Sequence, residues 1–541
     1  MLQKKSLVFL GLFLTTTFLF CRCSKEEAIS LPETIIEEAD VPVSKDPISK
    51  EPITEEPANT EHVPENSIPT ETISEEPVLE ETSEADPVPE NPITAEPGME
   101  ESEGDIKTAN VSEVVDETAV EVEYEEELPD GNPSAWYDLF DHHSNQPDLA
   151  ADGEFKNLTL QPGNKADQLY VTWFSKSSAA GTVTFYPENR SSSVAVSAKA
   201  VTEPSLSVAG YYRNSALVDD LESNTVYYYT LKNGNSESAK YKYKTPNLYA
   251  SDFTFTVAGD PEIGLGDEEV WAGQRSIWRV VLNRMKTQIP QSSFLVTTGD
   301  QVAHPSSNVH YDYFLDNSLL YSTPLVPVVG NHDSGTGFFG DHFTLPNLDS
   351  LGTESGRDGN YWFTRGNALI MVLNSLAPYD FDNHEDFVRN VTNSHPDAKW
   401  RIIISHYSPI TMVDRYQGIR DLIKDDYAEL GEKYDIDLFI GGHDHLYTRG
   451  HFLDDDGDPV IEHDNVITEY TNPGHPVYIV TNGSTNALLR KPSEDYEWSM
   501  ISVQNDIPSL TTVHVTTTSI QVTTRDVDHW EKIDDFIIYK N

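Results

Sequence analysis

Five short polar segments between residues 258 and 445 combine Asp, Asn or His with Gly or Ser, each directly after an apolar, β-branched run. They are Ala258-Gly-Asp260, Thr298-Gly-Asp300, Gly330-Asn-His-Asp333, Ser405-His406 and Gly441-Gly-His-Asp-His445. Taken singly, each has a plain structural use. A Gly-Asp pair after a strand is a turn, and an Asn-His-Asp run can cap a helix. Two histidines two apart on a strand point to one face whether or not they bind anything. Taken as an ordered set, they join carboxylate and amide oxygens to imidazole nitrogens, the donor mixture that borderline divalent metals prefer. One carboxylate shared between two ions holds them about 3.5–4 Å apart, as in two-metal hydrolases. Two cations at that spacing lower the pKa of a water between them, so hydroxide is available without a strong base.

The elements that must position these groups are legible around them. The runs Phe253–Ala258, Phe294–Thr297, Leu325–Val329, Arg401–Ser405 and Ile436–Ile440 suit strands covered on both faces, with functional groups on the loops at their carboxyl ends. Between them lie helical patterns. Asp267–Thr287 offers Val270, Trp271, Ile277, Trp278 and Val281, and Gly418–Tyr434 offers Ile419, Leu422, Ile423, Tyr427 and Leu430. A layered α/β domain is implied, its ligand loops converging at one rim. Upstream, residues 153–247 read as short alternating strands separated by turn signals, with Trp173 as a core anchor. Two sheets packed face to face would bury one side of each strand.

The spacing Leu221…Thr225-x-Tyr227-x-Tyr229 resembles fibronectin type III modules and, more narrowly, the N-terminal module of purple acid phosphatases. The ordered Asp, Gly-Asp, Gly-Asn-His-Asp, His, Gly-His-x-His set resembles the calcineurin-like metallophosphoesterase superfamily. Together the two resemble a bacterial purple-acid-phosphatase-type protein over roughly residues 153–541, including the strand patterns Ser509–Asp526 and Ile533–Tyr539. The resemblance implies that Asp260 and His445 hold a first metal, that Asp300 bridges both, and that Asn331, His406 and His443 hold a second. It implies further that His332 contacts the leaving group and that Asp333 orients it. Two positions depart from the pattern. Iron-tyrosinate phosphatases carry Tyr three residues after the bridging Asp, where this chain has Ala303; Tyr311 and Tyr313 fall on the following segment. Other members carry His two residues after the first Asp, where this chain has Glu262. Glu262 and His304 are therefore candidates for a metal ligand or for an acceptor beside the first metal, and the pair of ions could be Fe, Zn or Mn.

The rest of the chain bounds where such chemistry is done. Over 541 residues, 90 Asp and Glu stand against 36 Lys and Arg, a net charge of −54. Between Ser24 and Asp130 there are 34 acidic residues, four lysines and, until Tyr124, no aromatic. Such a segment buries too little apolar surface to offset its ordering entropy and reads as a disordered, Pro-stiffened stalk. The overall acidity disfavours duplex nucleic acid, which is held by Lys and Arg. Lys4 and Lys5 precede the apolar run Leu7–Phe20, which is short for a membrane span and fits a secretory leader. The only cysteines, Cys21 and Cys23, follow it, so a disulfide framework and a thiolate zinc site are ruled out in the folded region. A Cys in that place, followed by Ser-Lys-Glu-Glu, resembles a bacterial lipoprotein signal, with Cys23 preferred to Cys21 as the lipidated residue.

The expected organisation is a signal peptide over 1–23, a stalk over 24–130, a fibronectin III-like β-sandwich over 131–248, and a metallophosphoesterase domain over 252–541. The expected function is a dimetal-dependent phosphoesterase acting on small phosphomonoesters. It would be exported and tied to the membrane only through its N-terminal lipid, at the outer membrane or cell surface or facing the periplasm. A phosphodiesterase or nucleotide hydrolase with the same site, and a non-catalytic surface protein on the same scaffold, are the alternatives.

Overall fold

The computed structural model describes residues 153–349, 356–376, 381–460, 465–493 and 496–541. The expected leader with Cys21 and Cys23, the acidic stalk, and residues 131–152 of the first domain lie outside the described residues.

Residues 155–244 form a β-sandwich. One sheet orders Phe155–Pro162, Leu169–Ser175, Tyr212–Val218 and Val201–Pro204, all antiparallel. The other is built on Gly181–Pro187 and Val226–Asn233. Alternating side chains of both sheets make the core. Trp173 is fully buried, with its indole N–H donating to Asn233 Oδ1 at 2.8 Å, and Phe185 stacks on Tyr229 at 4.7 Å. Leu221 and Tyr227 are buried as their spacing implies, and the Tyr227 hydroxyl accepts from the Glu222 amide at 3.0 Å.

The remainder is an α/β domain of two seven-stranded mixed sheets sharing one apolar core. The first sheet contains Phe253–Ala258, Ser292–Thr297 and Leu325–Pro327 in parallel. Ser509–Val515, Ser519–Asp526 and Lys532–Tyr539 extend it in antiparallel fashion from Phe253–Ala258. The second sheet is centred on Ala368–Leu373, Trp400–Ser405, Leu438–Gly441 and Val477–Val480, again parallel. Three of the five polar segments thus follow strands of one sheet and two follow strands of the other. A buried ion pair joins the sheets. Arg449, on Tyr447–Gly450 of the second sheet, donates to both oxygens of Asp534 on Lys532–Tyr539 of the first, at 2.7 and 3.1 Å.

The helix expected from Asp267 runs Glu268–Gln288, with Asp267 capping the Glu269 and Val270 amides. Trp278 and Val281 are buried in it, but Val270, in its first turn, is 45% exposed. The second helix, Gln417–Lys433, buries Ile423, Tyr427 and Leu430, while Leu422 faces solvent. Arg420 takes inner space instead, its guanidinium lying 3.8 Å over the Trp498 ring.

The sandwich grips the α/β domain at the short helix Phe338–His342, a few residues after the Asn-His-Asp segment. Arg213 donates to the Asp341 carbonyl at 2.8 Å and to Thr344 Oγ1 at 2.8 Å. The Asp341 carboxylate accepts from the Ser207 amide and from the Ser205 and Ser207 hydroxyls, at 2.7–2.9 Å. Asn157 sits at a register shift of its strand with φ 52°, and its amide donates to His342 Nε2 at 3.2 Å. Burial pushes the His342 ring down to about 4, so it stays neutral and can accept that bond.

Candidate metal centre

At three of the five strand ends the backbone bends through the left-handed region, within the polar segment or just past it. Glu262, Asp300, His443 and His445 have φ of 42°, 43°, 71° and 54°. Non-glycine residues held there cost on the order of 1–3 kcal/mol each and persist where the surroundings enforce them. The neighbouring glycines allow close approach. A Cβ on Gly299 would stand 2.2 Å from His406 Nδ1, and one on Gly330 would stand 2.1 Å from the Asp300 amide nitrogen.

These turns bring six of the expected residues together. Asp300, His406 and His443 offer ligand atoms within 4.8 Å of one another, and so do Asp260, Asp300 and His445. Asp300 belongs to both groups. Asn331 joins the first, its Oδ1 lying 2.9 Å from His406 Nε2. His443 and His445 enter different groups, and they do so from a turn beyond the strand Leu438–Gly441, not from the strand itself as their spacing suggests. Between them Asp444 points away and accepts from Thr411 Oγ1 at 2.6 Å and from the Met412 amide at 2.8 Å, pinning the next loop.

The fit to cations is tested by the hydrogen bonds. His406 Nδ1 donates to the Thr298 carbonyl and His445 Nδ1 to the Ala487 carbonyl, both at 2.9 Å, so each ring turns Nε2 toward the carboxylates. His443 Nε2, Asp260 Oδ1 and Glu262 Oε2 are buried with no hydrogen-bond partner among the described residues. His406 Nε2 faces two oxygens, from Asn331 and, at 3.4 Å, from Asp300. Only a proton or a cation reconciles that nitrogen with two acceptors. Burial would strip the His406 proton, but Asp300 and Asp260 outweigh it and hold the ring well above the usual imidazole range. Burial would likewise raise Asp300, yet His406, His332 and His443 together hold it well below the usual carboxylate range. His443 is pushed down by burial and by His406, and so offers a lone pair. The donor set fits two divalent ions sharing Asp300.

The remaining expected residues fall differently. His332 is half-exposed at the mouth of the site; its ring Nδ1 meets the Ala303 carbonyl at 2.9 Å, and its Nε2 faces Glu262 at 3.5 Å. Asp333 does not take the orienting place beside His332. It is buried and accepts from the Gly330 and Gln301 amides at 2.9 and 3.1 Å, tying the loops of Asn331 and Asp300 to each other. Glu262 does reach the centre, between His332 Nε2 and, at 3.6 Å, His445 Nε2. His304 does not: it is exposed, with its ring 5.3 Å from that of His310 and outside both ligand groups. Neither neighbouring tyrosine replaces the phenol missing at Ala303. Tyr311 stacks on His342 at 4.0 Å, and Tyr313 lies 4.9 Å under the Arg275 guanidinium.

Burial, reinforced by Asp300, pushes the Glu262 carboxyl up to about 8. A carboxyl that binds its proton more tightly when folded contributes stability below the ordinary carboxylate range and loses it as pH rises through about 8. Chelated protein should therefore lose stability over that window in urea or thermal melts, and Glu262→Gln should flatten that slope. An unchanged slope in the variant would place its source elsewhere.

The sequence did not point to several groups that complete the centre: the Thr298 and Ala487 carbonyls, and Tyr416, whose ring centroid lies 3.8 Å from that of His443. Main-chain acceptors carry no residue signature, and Tyr416 reads as one more apolar residue at the start of a helix.

Comparison with known proteins agrees with this architecture. A solved structure of purple acid phosphatase PPD1 from yellow lupin (Lupinus luteus) shares the fold, with a TM-score of 0.58 at 15% identity, covering 73% of this chain and 75% of the lupin chain. Two uncharacterized proteins of Mycobacterium tuberculosis, from strains CDC 1551 / Oshkosh and ATCC 25618 / H37Rv, are each 27% identical over 166 residues. Those matches cover 26% of this chain and only 31% of the relatives' length. Residues 155–245 match the family model of the purple acid phosphatase N-terminal domain, and residues 253–447 match that of the calcineurin-like phosphoesterases.

Proposed function

We propose that this chain is a two-metal phosphoesterase that hydrolyses small phosphomonoesters. The observation that carries the reading is the pair of ligand groups sharing Asp300. Asp260, Asp300 and His445 would hold one ion, and Asp300, Asn331, His406 and His443 the other. A bound pair supplies Lewis acidity toward water and toward phosphoryl oxygens. The chain's own groups do the rest. Asn331, half-exposed beside Asp300, can orient a phosphoryl oxygen through its amide. The Ala303 carbonyl fixes the His332 ring by accepting from Nδ1, which leaves Nε2, 3.5 Å from Glu262, to carry and deliver a proton. From the mouth, that proton passes to the departing alkoxide. Glu262 thus takes the part that the resemblance implied for Asp333.

The test is phosphate release from a panel of mono- and diesters, with and without a chelator. Monoester turnover that stops on chelation and returns with Zn, Mn or Fe supports the reading. Turnover of diesters alone would make the protein a diesterase. No release from any ester by folded, metal-loaded protein would leave a binding role on this scaffold.

We also propose that the protein is exported and lipid-anchored, on the strength of the leader and Cys23. No helix among the described residues is long and apolar enough to cross a membrane. Metabolic labelling with a fatty acid should mark the wild type and not Cys23→Ala; a label retained there and lost in Cys21→Ala would move the anchor.

A further inference from the structure

The segment after strand Val477–Val480 wraps around the first ligand group. Ser484 and Thr485 donate to the carbonyls of Gly259 and Pro261. The Ala487 carbonyl orients the His445 ring, Leu488 bends through φ 49°, and the Arg490 amide returns to the His445 carbonyl at 3.2 Å. The same turn that orients a metal ligand therefore fixes where Arg490 emerges. Its guanidinium lies 5.5 Å over the ring of Tyr416, which is itself packed on His443. Its charge lies close enough to act on both Glu262 and His443. Arg490 is half-buried, and its buried Nε has no hydrogen-bond partner among the described residues.

We propose that Arg490 is the specificity-determining anion clamp of this site, binding the non-bridging oxygens of the substrate phosphate and favouring dianionic monoesters over monoanionic diesters. The inference rests on the phosphoesterase reading above. A guanidinium presents paired donors in a fixed fork that matches two phosphate oxygens, and a lysine does not. A terminal phosphate carries close to two charges at neutral pH, so a fixed cation beside the metals gains more from a monoester than from a diester.

The test uses the full, metal-loaded protein and its Arg490→Ala and Arg490→Lys variants. Metal content should be unchanged in both, because the bond to His445 comes from the Arg490 backbone. In Arg490→Ala, KM for a monoester and the inhibition constant of inorganic phosphate should rise together by about 10- to 100-fold, the range of a charge-assisted hydrogen bond. The monoester-to-diester ratio of kcat/KM should fall, and Arg490→Lys should recover only part of either loss. Unchanged phosphate inhibition and an unchanged ratio in metal-replete Arg490→Ala would overturn the clamp. If the wild type hydrolyses no ester, the enzymatic reading fails separately. Calorimetric titration of wild type and Arg490→Ala with inorganic phosphate would still decide whether Arg490 holds the anion.

Discussion

Replacing Asp300 with Ala should empty both ligand groups of metal at once, with activity falling in parallel. Asp300 is the residue common to the two groups, so each ion loses a charged ligand through one substitution. Removing a mere supporting hydrogen bond around such a site typically costs about 10–100-fold in metal affinity; loss of a shared carboxylate should exceed that. The substitution also leaves the buried His406 ring without a carboxylate that stabilises its charge. Asp300→Asn, which keeps the volume, is therefore the companion variant, with circular dichroism as the check on folding. Elemental analysis of folded protein reads the result. Two ions retained by folded Asp300→Ala would remove the shared-carboxylate centre.

His332→Ala should do the opposite: keep the ions and lose turnover. The ring belongs to neither ligand group, and the contact of this residue with Asp300 is made by its backbone amide, at 2.7 Å, which Ala preserves. Losing a general acid costs about 10²–10⁴-fold. The loss should be largest for alkyl phosphates and small for nitrophenyl phosphate, whose departing phenolate needs no proton. Equal losses for both substrates would take the proton-donor role away from His332.

How far these groups could be read from the chain depended on what kind of bond places them. The convergence of Asp260, Asp300, Asn331, His406, His443 and His445 was legible because each is a donor side chain just past the end of a particular strand. The apolar runs marked those ends. The sandwich was legible for a similar reason, through Trp173 and the Leu221–Tyr227 spacing. The orienting role that the resemblance implies for Asp333 is not what its carboxylate does here, because a matching motif position does not fix where a side chain turns. Its oxygens are taken by two backbone amides, while Glu262, seventy residues earlier in the chain, reaches His332 through a left-handed turn. His304, considered as a stand-in for the His that position 262 lacks, lies outside both ligand groups. Val270 and Leu422 kept helical spacing but face solvent. Core strands such as Ala368–Leu373, followed by Asn374 and Ser375, drew no notice because those residues fit neither the Gly-Asp nor the His pattern.

The grip of the sandwich on Phe338–His342 bears on how this chain can be cut and recombined. Arg213, Ser205, Ser207 and Asn157 supply from one domain the partners of Asp341 and His342 in the other. A chimera that joined the α/β half to a foreign front module would strand the Asp341 carboxylate and the neutral His342 imidazole in an interface built for them, a few residues from Asn331 and His332. The two halves therefore form a single cassette for shuffling, by evolution or by design. Substitutions at 338–344 and on the facing strands of the sandwich should be tolerated in pairs and punished alone.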